Sequence, residues 1–200
     1  MTSICVFCGS SVGARPEYAA EARLLGRELA SRHLELVYGG GRVGLMGVIA
    51  DAVLEAGGQV TGVIPRTLAT RERARPVGTH RHPVPEQLRI VESMHERKAL
   101  MADLSDGFIA MPGGLGTLEE FFEVLTWAQL GFHRKPVALL NVQGYFDPLL
   151  SFIDAACSEA FVRTVHREMI ISSKVPSEIL DSFTDYRAPA VDKWIDRTPI

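Results

Sequence analysis

Short apolar runs alternate along the chain with helical patterns. The runs are about five residues long and rich in β-branched and other apolar residues; they are residues 3–7, 34–38, 59–64, 107–111, 136–141 and 168–172. Continuous apolar runs of this length, bounded by turn residues, are typical of strands that are buried on both faces. The pattern therefore predicts six buried strands.

Helical patterns fill the intervals between these runs. In residues 16–32, the side chains of Ala19, Ala22, Leu25 and Leu29 form one apolar stripe, and residues 45–56 repeat the pattern. Further helical patterns cover about 92–104, 117–130 and 145–159, with shorter ones near 177–183 and 190–195. This alternation predicts an α/β fold, a doubly wound parallel sheet of six or seven strands with helices on both faces.

One segment, residues 66–85, does not fit the alternation. It holds five arginines, two histidines and three prolines and has little apolar patterning, so we predict an irregular loop on the surface or over a site. We see no internal repeat and no domain linker. With 200 residues, of which 46% are apolar, the chain is expected to form a single domain over residues 1–200.

Charge and cysteine content limit the class of protein. Lysine and arginine number 21 against 24 acidic residues, which argues against a nucleic-acid-binding surface. No apolar run approaches the roughly 18 residues of a membrane span, and the N-terminus has no signal-peptide pattern. The odd count of three cysteines favours a reducing compartment. We therefore expect a soluble, cytoplasmic protein that binds neither nucleic acid nor membranes.

Three glycine-rich loops follow three of the predicted strands, at residues 8–11 (CGSS), 39–47 (GGGRVGLMG) and 112–117 (PGGLGT). The carboxyl ends of parallel strands lie at one edge of a sheet, where helix N-termini favour anions. Glycine lets backbone N–H groups approach a phosphate, and the hydroxyls of Ser10, Ser11 and Thr117 add donors. The loops therefore predict a phosphate site, although tight turns alone also require glycine.

The loops do not fit two common nucleotide sites. Gly39, Gly41 and Gly44 match G-x-G-x-x-G, but this match follows the second strand, and the next strand ends without the acid that would hold a ribose hydroxyl in an NAD site. The loop at 112–117 lacks the G-K-[ST] ending of a P-loop. A nucleotide phosphate remains the prediction, whereas NAD binding and ATP hydrolysis are not favoured.

Glu120 is a candidate catalytic carboxylate. It lies about one helical turn from the third glycine loop, where it could orient water or stabilise a cationic, sugar-like transition state. The alternative is structural, because Thr117 and Glu120 have the spacing of a capping box. Glu119 and Glu123 compete with Glu120 for the polar side of the same helix.

Arg97 and Lys98 are candidate phosphate ligands early in the helix before the fourth predicted strand. Such charges are commonly solvated, but cations near a helix N-terminus oppose the helix dipole and need a compensating anion. A bound phosphate would supply it, with Arg97 as a bidentate donor and Lys98 as a point charge. Met46 and Met94 could line an adaptable apolar pocket for a base.

Two further patterns carry less weight. Cys5 and Cys8 have the C-x-x-C spacing of redox proteins, but Cys5 lies inside a predicted strand, which favours buried packing. His80 and His82 have no recognisable third partner for a metal ion. We therefore expect neither redox chemistry nor a metal site.

Two motifs together resemble a known family. Residues 112–120, PGGLGTLEE, fit the pattern P-G-G-x-G-T-x-x-E, and residues 94–98, MHERK, fit M-H-x-R-K. With CGSS at 8–11 and YGGG at 38–41, the likeness runs from Ile4 to Asp185. The sequence resembles the Lonely Guy family of cytokinin riboside 5′-monophosphate phosphoribohydrolases, which were long described as lysine decarboxylases.

The resemblance implies a Rossmann-like fold, a homodimer with sites near the subunit interface, and no metal or cofactor. It implies hydrolysis of the N-glycosidic bond of N6-substituted adenosine 5′-monophosphates to the free base and ribose 5-phosphate. Arg97 and Glu120 would be the catalytic pair, Lys98 would bind the nucleotide, Thr126 would lie on the rim, and Glu72 would be a further contact. The predicted substrate-binding residues are Gly9, Ser10, Gly40, Gly41, Met46, Glu72, Met94, Lys98, Pro112, Gly113, Gly114, Leu115, Gly116, Thr117, Leu118, Glu119 and Thr126.

Two other functions remain open at this point. One is a nucleotide glycosidase that acts on plain AMP or other purine nucleotides, and the other is a nucleotide-binding or sensor protein without turnover. The preference for a particular base depends on the shape of the pocket, which residue spacing does not reveal.

Overall fold

A computed structural model describes residues 1–73 and 87–189. Within these residues, seven strands form one all-parallel sheet. The strands are β1 (Ser3–Phe7), β2 (Glu35–Tyr38), β3 (Val60–Pro65), β4 (Gln87–Val91), β5 (Gly107–Ala110), β6 (Val137–Leu140) and β7 (Ile170–Ser173). The helices are α1 (Pro16–Ser31), α2 (Gly44–Glu55), α3 (Arg66–Arg73), α4 (Met94–Asp103), α5 (Leu115–Gln129), α6 (Asp147–Ser158), α7 (Thr164–Arg167) and α8 (Pro176–Asp185).

The strand order of the sheet reverses between β1 and β5. The sheet runs β4-β3-β2-β1-β5-β6-β7, so the chain first builds outward from β1 and then crosses to its other side with β5. In doubly wound sheets, ligands bind beyond the carboxyl ends of the strands at this reversal point. The first and third glycine loops follow the two strands that flank it.

Alternate residues of the strands supply two apolar cores, one on each face of the sheet. In β1, Ile4 and Val6 belong to the core that includes residues of α1, α2 and α8, whereas Cys5 and Phe7 belong to the core that includes residues of α4, α5 and α6. This alternation follows from the two-residue period of a strand. The sheet is therefore covered on both faces, and the predicted doubly wound α/β fold is confirmed.

The sequence patterns missed β4, α3 and the short helix α7, and they placed the starts of three helices two residues off. The prediction of an irregular loop over residues 66–85 is wrong at its beginning, where Arg66–Arg73 form α3. Strand β4 was not predicted because it lacks a continuous apolar run. It is an edge strand whose side chains are mostly exposed. Helix α5 begins at Leu115, two residues before the predicted start, whereas α4 and α6 begin at Met94 and Asp147, two residues after theirs. The helix predicted near 190–195 lies outside the described residues.

None of the helices in residues 1–73 and 87–189 is long and apolar enough to cross a membrane.

Candidate functional site

Backbone hydrogen bonds join the three glycine loops at the reversal point. The N–H of Gly9 donates to the carbonyl of Pro112, and the N–H of Leu45 donates to the carbonyl of Gly9, both at 3.0 Å. Gly44 has a φ of +60°, and a Cβ there would overlap the backbone of Ser10, so this crossing requires glycine. The loops that follow β1, β2 and β5 therefore form one surface.

The start of α5 offers free backbone donors to this surface. The helix begins at Leu115 after Gly114, and no side chain caps it. Thr117 is consequently not the N-cap, and the capping-box alternative for Thr117 and Glu120 is wrong. The first N–H groups of a helix have no partner within the helix and carry partial positive charge. An anion is therefore favoured at the start of α5.

Arg97 and Glu120 form an ion pair beside the loops. Their side chains come from α4 and α5, both are about nine-tenths buried, and Nη1 of Arg97 lies 3.2 Å from Oε1 of Glu120. Nε of Arg97 donates to the carbonyl of Val63 at the end of β3, at 3.2 Å. Gly39 makes room for this guanidinium, since a Cβ there would overlap Nη2 of Arg97. The pair is thus held by β3, by the loop after β2 and by the two helices that carry it.

A side-chain cap at the start of α4 explains where Arg97 lies. The hydroxyl of Ser93 accepts from the N–H of Glu96 at 3.1 Å, and the Glu96 carboxylate accepts from the N–H of Glu92 at 2.8 Å. These bonds fix the first turn of the helix. Arg97, the fourth helical residue, therefore points to the edge of the sheet from a fixed turn.

Burial raises the pKa of Glu120 above its ordinary value of 4.5, against the opposing effect of the Arg97 guanidinium. The carboxylates of Glu119 and Glu123 raise it further, and the ammonium of Lys98 lowers it. A carboxyl group with a raised pKa beside a cleft is a candidate for acid–base chemistry. Glu120 has both the burial and the position for that role.

Lys98 lies between two acids of α5. Its Nζ contacts Oε1 of Glu119 and lies 3.0 Å from Oε1 of Glu123. Burial alone would lower the pKa of Lys98, but the bonds to these two carboxylates outweigh it and raise the pKa. The anions that compensate the cations of α4 are thus protein carboxylates, whereas the sequence pattern predicts a bound phosphate in that place.

The other predicted substrate-binding residues lie at different depths around this pair. Gly9, Gly40, Gly41, Pro112 and Thr117 are buried, whereas Gly114, Leu115 and Gly116 are exposed. The exposed residues at the predicted site also include Ser10, Met94, Glu119 and Thr126, and the half-buried ones are Met46, Gly113 and Leu118.

Two of these side chains lie near Arg97. The sulfur of Met94 lies 3.9 Å from Nη1 of Arg97, and the sulfur of Met46 lies close to Gly39, the glycine against which the guanidinium packs. Apolar thioethers are therefore part of the surroundings of the guanidinium. Glu72 is part of α3, but its side chain is not among those that the structure describes. His80 and His82 lie outside the described residues.

Cys5 and Cys8 are buried free thiols. Burial, followed by the charge of Glu120, raises the pKa of both. Thiols of raised pKa are poor nucleophiles, and the expectation of buried packing instead of redox chemistry is consistent with this.

Three residues of the site carried no role in the sequence predictions. Gly39 stood in the glycine loop without an assigned function, although a glycine directly at a strand end is the signal of a close approach. Glu123 competes with Glu120 for the polar side of the helix in the sequence pattern, and in the structure it bonds to Lys98. Tyr145, whose hydroxyl donates to the carbonyl of Gly113, belongs to no motif, and the sequence pattern places it only at the start of a predicted helix.

Comparisons with known proteins agree with the motifs. A family model described as "possible lysine decarboxylase" matches residues 46–183. The chain is 52% identical to the cytokinin riboside 5′-monophosphate phosphoribohydrolase LOG3 of Arabidopsis thaliana, over 92% of this chain and 82% of the relative. It is 51% identical to the cytokinin riboside 5′-monophosphate phosphoribohydrolase LOG of Oryza sativa subsp. japonica, over 98% of this chain and 79% of the relative.

Solved structures share the fold at lower identity. A molybdenum cofactor binding protein from Rippkaea orientalis superposes with a TM-score of 0.66 at 24% identity, covering 92% of this chain and 96% of that one. A molybdenum cofactor carrier protein from Chlamydomonas reinhardtii superposes with a TM-score of 0.64 at 20% identity, with the same coverage of both chains. These likenesses support the Rossmann-like fold alone. The sequence matches, in contrast, show that the chain belongs to the Lonely Guy family of cytokinin riboside 5′-monophosphate phosphoribohydrolases.

Proposed function

We propose that this protein hydrolyses the N-glycosidic bond of N6-substituted adenosine 5′-monophosphates, releasing the free base and ribose 5-phosphate. The observation that carries the proposal is the buried pair of Arg97 and Glu120, 3.2 Å apart, beside the joined glycine loops. Relatives about half identical in sequence are named for this activity.

The 5′-phosphate binds at the start of α5 in this proposal. The N–H groups that follow Gly113 and the guanidinium of Arg97 attract its negative charge. Lys98 is already neutralised by Glu119 and Glu123, so its contribution depends on Glu119, the more exposed of the two acids, turning away. The apolar sulfurs of Met46 and Met94 face the base.

Glu120 acts on the sugar. As the bond between the base and the anomeric carbon breaks, positive charge develops on the ribose ring, and a nearby carboxylate stabilises it. The same carboxylate orients a water molecule and accepts its proton as the water oxygen bonds to the anomeric carbon, and it then passes this proton to the departing base. Arg97 holds Glu120 in its charged form and in position.

Decarboxylation of lysine, the activity in the description of the family model, fits the site poorly. That chemistry uses pyridoxal phosphate bound to a lysine amine, which must lose its proton to react. The lysine at this site, Lys98, is bonded to two carboxylates, which raise its pKa and keep it protonated. Lys98 is therefore unsuited to form the Schiff base.

The preferred base distinguishes the proposal from a general purine nucleotide glycosidase. We expect a higher kcat/KM for prenylated AMP than for AMP or GMP when all three are assayed with the purified protein. Equal rates would indicate the general glycosidase. A stoichiometric complex without ribose 5-phosphate would indicate a nucleotide sensor.

The acidic limb of the pH–rate profile tests the state of Glu120. Because the carboxylate is the active form and burial raises its pKa, activity is expected to fall with decreasing pH already above pH 4.5. The substrate phosphate also titrates, near pH 6, so the profile of one enzyme does not identify the group.

The variant Glu123→Gln separates these two titrations. The negative charge of Glu123 raises the pKa of Glu120, so its removal is expected to move the acidic limb of kcat to lower pH. If the acidic limb instead reflects titration of the substrate phosphate, it would stay at the same pH, because the substrate is unchanged. A limb that does not move in this variant would contradict the assignment to Glu120.

We also propose that two copies associate through the outer side of α5. Leu115 and Phe122 lie seven residues apart on one face and are exposed, and Phe132, just beyond the helix, is 69% exposed. Apolar and aromatic residues of this kind are enriched at subunit interfaces.

A reducing, cytoplasmic location fits the buried free thiols of Cys5 and Cys8.

Light scattering tests the association. The expected mass is twice the 21.9 kDa of one chain, and Phe122→Asp is expected to give single chains. Phe161→Asp, which alters an exposed phenylalanine beyond α6, is the matched control and should remain paired. A mass of 21.9 kDa for the unaltered protein would refute the proposal.

A further inference from the structure

The connection from β6 to α6 is a tightly bonded turn that carries Tyr145. The side-chain oxygen of Asn141 accepts from the N–H of Phe146 at 2.7 Å, and its amide nitrogen donates to Asp147 at 2.6 Å. Gly144 has a φ of +73°, which lets the chain reverse within these bonds. The backbone on either side of Tyr145 is therefore fixed.

The ring of Tyr145 lies in an aromatic cluster that leaves its hydroxyl at the third glycine loop. It packs edge-on against Tyr18 and Phe146, with ring centroids 5.7 and 5.0 Å apart. The hydroxyl donates a hydrogen bond of 2.5 Å to the carbonyl oxygen of Gly113. Tyr145 thus links the turn after β6 to the loop after β5, across the sheet edge.

This hydrogen bond selects one orientation of the peptide between Gly113 and Gly114. With glycine on both sides, no Cβ restricts the rotation of that peptide plane. In a trans peptide the C=O and the N–H point in opposite directions, and no cis peptide occurs in the described residues. By holding the carbonyl of Gly113, Tyr145 also directs the N–H of Gly114 to the opposite side.

The space around Gly114 is open. This residue is exposed, and a Cβ on it would meet no atom within 4 Å, whereas a Cβ on Gly113 would overlap the hydroxyl of Thr117. Gly114 immediately precedes α5, where the unpaired N–H groups of the first turn favour an anion. The N–H of Gly114 joins this group of donors when its peptide is held.

We propose that Tyr145 is a positioning residue for the 5′-phosphate, acting through the Gly113–Gly114 peptide. The inference rests on the proposed function in taking a phosphorylated sugar as the ligand. Tyr145 does not touch the reacting atoms, so its effect falls on phosphate binding and not on cleavage of the glycosidic bond.

The variant Tyr145→Phe removes the hydroxyl and keeps the ring. We expect about five-fold weaker binding of ribose 5-phosphate by calorimetry, the effect of one net hydrogen bond. With nucleotide substrate, KM is expected to rise by a similar factor while kcat changes by less than about two-fold. The preference for the nucleoside monophosphate over the nucleoside, as a ratio of kcat/KM values, is expected to fall about five-fold.

Tyr18→Phe is the matched control, because it removes a hydroxyl from the same aromatic cluster but not the bond to Gly113. It is expected to bind ribose 5-phosphate as the unaltered protein does. Equal binding by Tyr145→Phe and the unaltered protein, or no binding by the unaltered protein, would overturn the inference. If the unaltered protein binds ribose 5-phosphate, Tyr145→Phe binds it more weakly and neither turns over nucleotide, the proposed function fails and the positioning role is supported.

Discussion

Glu120→Gln is expected to lower kcat for nucleotide hydrolysis by about 10²- to 10⁴-fold, the contribution of a positioned acid–base group. Glutamine keeps the size of the side chain and a hydrogen-bonding oxygen, but it carries no charge to stabilise the cationic ribose and accepts no proton from water. Because Glu120 is buried against Arg97, its charge acts where water screens it little. The measurement is the rate of base release at saturating substrate.

Glu123→Gln is the matched control for this variant. Glu123 lies on the same helix and bonds to Lys98 instead of Arg97, so its loss is expected to leave most of the activity at neutral pH. Thermal melting of both variants checks the fold. If Glu120→Gln retains the activity of the unaltered enzyme, Glu120 is not the catalytic carboxylate.

Gly39→Ala is expected to abolish most activity, although it adds only one methyl group. The new Cβ would lie only 2.0 Å from Nη2 of Arg97, and this guanidinium is also bonded to the Val63 carbonyl and to Glu120. The arginine must therefore move, which breaks its pair with Glu120 and removes it from the phosphate. Displacing a positioned group by about 1 Å costs on the order of 10²-fold in rate.

Two further variants separate this effect from a general loss of stability. Gly57→Ala places a methyl group at a positive φ with no atom within 4 Å, so it is expected to lower stability without lowering activity. The double variant Gly39→Ala with Arg97→Ala is expected to be no worse than Arg97→Ala alone, because the methyl then displaces nothing. Additive losses would show that Gly39 acts independently of Arg97.

The sequence predicted the fold class and the meeting of the loops for a simple geometric reason. Apolar runs separated by helical patterns specify a parallel sheet, and parallel strands end at one edge. The loops after β1, β2 and β5 had to share that edge, and hydrogen bonds through Gly9 join them there. Elements without apolar patterning escaped prediction, as the exposed edge strand β4 and the polar helix α3 illustrate.

The interior contacts of the site were beyond sequence reasoning. Lys98 was expected to face phosphate because its helix position calls for an anion, but spacing within α4 does not reveal that Glu119 and Glu123 of α5 supply it. The roles of Gly39 and Tyr145 arise from contacts across the sheet edge, with residues 58 and 32 positions away. Such contacts depend on how helices and turns pack on the sheet.

The most direct test of the account is the identity of the bond that breaks. Purified protein incubated with isopentenyladenosine 5′-monophosphate is predicted to release isopentenyladenine and ribose 5-phosphate in equal amounts, as resolved by liquid chromatography of a quenched time course. Release of the nucleoside with inorganic phosphate, or recovery of unchanged nucleotide, would contradict the account.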